Sequence, residues 1–195
     1  LNSNNSHNQN LILSILVLSK KWEAFNTKYY YAFKDFQGKN IITIDDDKIY
    51  PSNFLKELYL ESFSHSQNIL FGGGRIIDWE NNSSYWDWQL TWNCKGYNNK
   101  DTIPLGVMGI YYPSNFICKL DFDFIEQLID NFFTTDDLLL KFLSLRINYP
   151  IYCVNSWSRG FISFSESKNH FHLSSFNKKQ NDINWKKINF LLKNN

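Results

Sequence analysis

Three consecutive carboxylates, Asp45, Asp46 and Asp47, follow the apolar run Ile41-Ile42-Thr43-Ile44 and precede Lys48-Ile49-Tyr50-Pro51. Two like charges about 4 Å apart repel by roughly 4 kcal/mol at an effective dielectric near 20, so an acidic triplet at the mouth of a buried strand calls for a cation. Side chains alternate along an extended chain, which puts Asp45 and Asp47 on one side and Asp46 on the other. Oxygen donors in that pattern suit a hard divalent ion, Mg2+ or Mn2+. The plainer reading is a solvated acidic turn, with Asp47 or Ser52 capping a helix that begins near Pro51.

A second acidic group, Thr134-Thr135-Asp136-Asp137, stands before the apolar run Leu138–Leu145. Thr or Asp at a helix start is ordinary capping, and the helix dipole favours the charged form of an acid there. The functional alternative is a carboxylate held rigidly at a helix mouth as a general base. Arg75 follows Gly72-Gly73-Gly74 and has the reach to contact a phosphate or sugar hydroxyl, although a surface ion pair is the commoner fate of an arginine. The glycine run matches neither dinucleotide nor P-loop patterns, so it reads equally as a bend within a strand. Trp79, Tyr85, Trp86, Trp88, Trp92 and Tyr97 crowd one polar stretch. They read either as a platform on which sugars stack or, at the i, i+3, i+7 spacing of Tyr85, Trp88 and Trp92, as core contacts. His170 and His172 form an HxH pair that is either a late metal ligand or an exposed strand.

Positioning these groups requires alternating strands and helices. A buried strand is expected over Leu11–Leu18, a helix over Thr27–Phe36 closed by Gly38, and a strand over Ile41–Ile44. A helix over Pro51–Phe63 and a strand over Ile69–Phe71, continuing at Ile76–Ile77, come next. A strand over Leu105–Pro113 carries Gly106 and Gly109, glycines that let a ligand approach the backbone. Helices over Asp123–Asn131 and Leu138–Leu145, a strand over Ile151–Val154 and a helix over Trp185–Leu192 complete the order. The pattern is α/β, and acids at strand ends are where ligands bind in open sheets of this class.

With 43% apolar and 20% charged residues in 195, the chain can bury one sizeable core and is most simply one domain, after a polar lead-in over residues 1–10. A formal net charge of +1 gives no global field to recruit nucleic acid. Cys94, Cys118 and Cys153 are odd in number and lack CxxC spacing, which argues against a disulfide framework or zinc site and for a reducing, cytosolic setting. No apolar run approaches the roughly 20 residues of a membrane span.

The motifs taken together resemble bacterial nucleotide-sugar glycosyltransferases of the A-type fold. The likeness rests on Asp45 to Pro51, on Gly106-Val-x-Gly-x-x-Tyr-Pro113, on Thr134-x-Asp136-Asp137 and on Asn177, Asn181-Asp182 and Trp185 near the end. Lys28-Tyr29-Tyr30-Tyr31-Ala32 resembles the helix before the metal motif of that group. The resemblance covers about residues 14 to 190. It implies a single-domain, three-layer α/β fold with a mixed, mostly parallel central sheet, and it implies that the first strand-helix units of the fold are missing before Leu11. Leu139 departs from the tryptophan common in the group.

The activity implied is transfer of a hexosyl or N-acetylhexosaminyl group from a nucleoside-diphosphate sugar to a glycan or other hydroxyl, with inversion. Asp45 and Asp47 would hold Mn2+ or Mg2+, with Asp46, Lys28 and Arg75 on the donor. Asp137 would be the base and Asp136 its neighbour toward the acceptor, with Trp86, Trp88, Trp92 and Gly109 lining the acceptor side. The setting implied is the cytoplasm or the inner membrane face by peripheral association. Two other classes fit parts of the pattern. A non-catalytic carbohydrate-binding fragment would use the tryptophans without metal, and a phosphotransferase would use the aspartates but lacks a P-loop lysine or kinase signatures.

Overall fold

A computed structural model describes residues 27–45, 48–81, 83–91, 100–129, 135–154, 162–163 and 173–193, with backbone alone at 27–28, 162–163 and 173–178. The expected strand at Leu11–Leu18 therefore lies outside the described residues, as do Asp46, Asp47, Trp92, His170 and His172.

The chain is mixed α/β. Helix α1 (Thr27–Asp35) leads into strand β1 (Ile41–Thr43), and the short β2 (Lys48–Ile49) follows the acidic turn. Helix α2 (Phe54–Ser64) precedes β3 (Ile69–Phe71) and β4 (Gly74–Ile76). A 3-10 turn at Tyr85–Asp87, β5 (Leu90–Thr91), β6 (Thr102–Pro104), a second 3-10 turn at Gly106–Met108 and β7 (Ile110–Tyr112) make up the middle. Helices α3 (Ser114–Ile117), α4 (Phe122–Ile129) and α5 (Asp136–Arg146), strands β8 (Ile151–Cys153) and β9 (Ile162–Ser163), and helix α6 (Leu173–Lys193) close the order.

The central sheet has the order β1-β7-β3-β8. Strand β7 runs antiparallel to both β1 and β3, whereas β3 and β8 are parallel. Three strands therefore point one way and β7 alone opposes them. Successive side chains face opposite sides of a strand, and both sides of this sheet are buried. Ile69, Phe71, Ile110, Tyr112, Ile151 and Cys153 join one cluster with residues of α1, α4 and α5. Leu70, Tyr111 and Val154 join Phe54 and Leu58 of α2 in the other. Tyr112 is fully enclosed, its ring meeting Phe33 edge-on at 4.9 Å.

Helix α5 is buried continuously from Leu138 to Ser144, which explains why its apolar residues show no clean stripe. Two small sheets flank the large one: β2 pairs with β9, and β5-β4-β6 form an antiparallel trio.

Several expectations change in detail. The run Leu105–Pro113 is not one strand, because it follows β6 with a 3-10 turn at Gly106–Met108 and becomes strand β7 only after Gly109. Gly109 has φ 73°, and a Cβ there would lie 2.4 Å from Phe54 Cζ, so both backbone conformation and packing require glycine. The glycine run after β3 is a bend, at which the chain leaves one sheet and enters another. Helix α2 starts at Phe54 with Asn53 in the cap position and no side-chain cap bond, so Ser52 does not cap it. Helix α6 begins twelve residues before Trp185, much earlier than its apolar residues indicate. Cys153 is disulfide-bonded to a partner outside the described residues, while Cys118 is free and exposed. Three scattered cysteines gave no spacing from which that pairing follows, and their number no longer argues for a reducing setting.

Candidate functional site at the carboxyl edge of the central sheet

Register fixes what lies at one edge of the sheet. Ile110, the first residue of β7, pairs with Thr43 at the end of β1 and with Phe71 at the end of β3. The end of β1, leading to Asp45, and the Gly106–Gly109 turn before β7 therefore lie side by side. Tyr50 ties them together: its hydroxyl accepts from the Asp45 amide at 2.8 Å and donates to the Val107 carbonyl at 3.3 Å. Tyr50, which follows the acids in the sequence, thus holds the Asp45 backbone beside the turn before β7.

The start of α5 joins the same edge. Asp137 Oδ1 accepts a hydrogen bond from the Gly106 amide at 2.9 Å, across 31 residues of sequence. A Cβ at Gly106 would lie 2.9 Å from the Tyr29 hydroxyl and 3.2 Å from Asp137 Oδ1, so glycine is required by close approach. Thr135, at the cap position, makes no side-chain cap bond to its own helix. Its hydroxyl instead accepts from Asn184 Nδ2 of α6 at 2.7 Å, with both residues buried. Thr135 and Asp137 are thus held from outside their helix by α6 and by the turn before β7.

Three acids act electrostatically on one buried phenol. Tyr29 of α1 is buried, and its pKa is pushed well above the ordinary value, first by that burial and then by Asp136, Tyr112, Asp137 and Asp45. Tyr112 is pushed up in the same way by burial and then by Asp137 and Asp136. Tyr85 is raised by burial, then by Asp137, with Arg75 opposing. Geometry ties two of these acids to one turn: Asp137 meets the Gly106 amide beside the Tyr29 hydroxyl, and Asp45 is linked to Val107 through Tyr50. Asp45, Asp136 and Asp137 are each half-buried.

Other expected site residues sit elsewhere in the architecture. Arg75 is buried, and its Nη1 donates to the carbonyls of Tyr85, Trp86 and Trp88 at 3.4, 3.3 and 3.1 Å. Its guanidinium also lies 5.0 Å from the ring centres of Tyr85 and Trp86. An arginine spent on three carbonyls organises the turn and is not presented to a phosphate, which corrects the donor-binding expectation. Trp88 is likewise in the core, only 4% exposed, with its indole donating to Ser83 Oγ at 3.1 Å and packing on Trp185. It offers no face for a sugar. Trp86 is half-buried beside Tyr85, whose pKa is raised by burial and then by Asp137. Gly109 meets Phe54 and needs no ligand to explain it. The side chain of Lys28, with Asp46, Asp47, Trp92, His170 and His172, lies outside the described residues.

Sequence reasoning passed over four contributors. Tyr29 and Tyr50 were visible as motif members but carried no assigned role, and Gly106 was read as room for a ligand where the structure places Asp137 and Tyr29. Asn184 gave no local signal, because its partner is 49 residues away.

As to a metal, Asp45 is a half-buried oxygen donor whose backbone is fixed by Tyr50, which fits the chemistry of a hard cation. Among the described residues no three metal-ligating side chains come together, Asp46 and Asp47 being outside them. No model of a known protein family matches the chain, and no curated protein sequence does so. Among the described residues no helix is long and apolar enough to cross a membrane.

Proposed function

We propose that this chain is a metal-dependent glycosyltransferase of the A-type fold, a three-layer single domain that moves a sugar from a nucleoside-diphosphate donor to a hydroxyl acceptor with inversion. The observation that carries the reading is the bond from the Gly106 amide to Asp137, which brings two of the resembling motifs together beside the third, at Asp45. A helix cap alone gives no reason for such a convergence.

The reaction needs two things from the protein. Cleavage of the bond between sugar and diphosphate develops positive charge on the sugar ring and negative charge on the leaving group. A divalent ion held by Asp45 and Asp47, when bound, supplies neutralisation of that diphosphate. The acceptor hydroxyl must lose its proton as its oxygen bonds to the sugar carbon. Asp137 is the base in this reading, with one carboxylate oxygen anchored by Gly106 so that the group is oriented before substrate arrives. Asp136, the preceding residue of the same helix, would bind the acceptor in this reading. Trp86, half-buried where Trp88 is enclosed, would be the one of these two to contact an acceptor sugar.

Calorimetry with Mn2+ and a nucleoside diphosphate tests the donor half. Binding of the diphosphate should strengthen with the metal in the wild type and lose that dependence in Asp45→Ala and Asp47→Ala. Equal metal dependence in all three proteins would remove these residues from the metal site. Sugar affinity indifferent to chelator, without diphosphate binding, would favour the carbohydrate-binding alternative.

A further inference from the structure

Residues 180–184 of helix α6 carry four polar side chains, and three of them are committed. Gln180 Nε2 donates to Asn184 Oδ1 at 3.0 Å, Asn184 Nδ2 donates to Thr135 Oγ1 at 2.7 Å, and Asp182 accepts from the Tyr85 amide at 2.7 Å and from Ser84 Oγ. Asn181 is the fourth. It is only 7% exposed, yet among the described residues its amide has no hydrogen-bond partner. Nor is that amide sealed in, unlike the Thr102 hydroxyl, which is closed off from solvent. A polar group enclosed to this degree is ordinarily paired, so an enclosed side chain with an unpaired tip open to solvent has the form of a group that receives a ligand.

The helix brings that amide to the candidate site. Asn184 meets Thr135, the residue before Asp136, and Asp182 meets the turn that carries Trp86. Asn181 shares the inward face of α6 with Asn184 and Trp185, three and four residues on, about 5 Å along the axis. Beyond Asn184 the helix enters the core at Ile188, and α5 enters it from Leu138, so the turn bearing Asn181 lies toward the start of α5 and the Trp86 turn. We propose that Asn181 binds the acceptor, its amide hydrogen-bonded to hydroxyls of a sugar seated between Asp136 and Trp86. The inference rests on the glycosyltransferase reading for the place of the acceptor. The chemistry of the group selects the ligand. An amide offers two donors and a carbonyl acceptor without charge, which matches neighbouring hydroxyls, each both donor and acceptor. A phosphate would gain little from a neutral amide and would be repelled by Asp136 and Asp137.

The test is NMR titration of the isotope-labelled full chain with methyl glycosides of glucose, galactose and N-acetylglucosamine, followed at the side-chain amide signals of Asn181, which are identified by their absence in Asn181→Ala. At least one glycoside should move those signals, with affinity about 10-fold weaker in Asn181→Ala and insensitive to salt. Melting separates a binding amide from a structural one. Asn184→Ala, which breaks a buried bond, should lower the midpoint by about 2–10 °C, whereas Asn181→Ala should leave it in place. Signals that no glycoside moves, equal affinity in Asn181→Ala, or a midpoint that falls in Asn181→Ala as far as in Asn184→Ala would overturn the proposal. Its failure is distinct from failure of the transfer reaction. Metal-dependent diphosphate binding with no glycoside effect at Asn181 would overturn the acceptor contact alone. Asn181-dependent glycoside binding without turnover of any sugar nucleotide would support the contact and count against the transfer reaction.

Discussion

Asp137 reaches out of its own helix to the Gly106 amide, and that contact decides which substitutions are informative. Asparagine keeps an oxygen that can accept the same bond but cannot take a proton, so Asp137→Asn separates chemistry from geometry. Gly106→Ala does the reverse. Its methyl group would press on the Tyr29 hydroxyl and on Asp137, and we expect a loss of about 1–3 kcal/mol in urea unfolding together with loss of turnover. Lys141 gives a prediction about pH. It is 2% exposed on α5, and burial lowers its pKa from 10.5 to about 7, with Asp101 opposing the fall and Lys100 adding to it. Below pH 7 the amine is charged in both folded and unfolded chains and the burial penalty is complete. Above that pH the folded protein releases the proton while the unfolded chain keeps it until near 10.5, so stability rises with pH across this window. Urea midpoints measured from pH 6 to 9 should climb in the wild type. In Lys141→Met this contribution to the climb should disappear, with a gain at pH 6 of about 1–3 kcal/mol. A parallel rise in both proteins would show that Lys141 is not the source.

At the scale of elements, α6 is the clamp of the site, and its contacts were the least legible from sequence. The strand before the acidic turn, helix α2, strand β3 and the start of α5 follow from local apolar spacing and turn residues, which a single sequence displays. The reversal of β7 does not, because a strand's direction depends on its neighbours and its alternation looks the same either way. The tryptophan-rich stretch was open between platform and core for a similar reason. Trp88 is committed to the core by Trp185 and Ser83, and Arg75 to three carbonyls, through partners that local periodicity does not identify. Asp182 and Asn184 make the clamp's polar bonds to the 3-10 turn and to Thr135. Removing one side of a buried bond leaves the other unsatisfied, so Asn184→Ala should cost about 1–3 kcal/mol in denaturant unfolding. Loss of the clamp should also reduce turnover through Thr135 to Asp137, whereas unchanged stability and turnover would make α6 a bystander.

Across the whole molecule, a sheet buried on both faces leaves its carboxyl edge as the place where charge collects. Asp45 comes to that edge from β1, Gly106 from the turn before β7, and Asp136 and Asp137 from α5. The composition, near neutral overall, gave no hint that these residues come to one edge. The central claim is that these acids act together on a sugar nucleotide. Its most direct test is release of nucleoside diphosphate from a panel of sugar nucleotides with Mn2+, comparing the wild type with Asp137→Asn. We predict turnover of at least one donor by the wild type, abolished by chelator, and a rate lower by about 10²- to 10⁴-fold in Asp137→Asn with donor and metal binding nearly unchanged. Wild-type turnover in Asp137→Asn, or no turnover of any donor by the wild type, would contradict it.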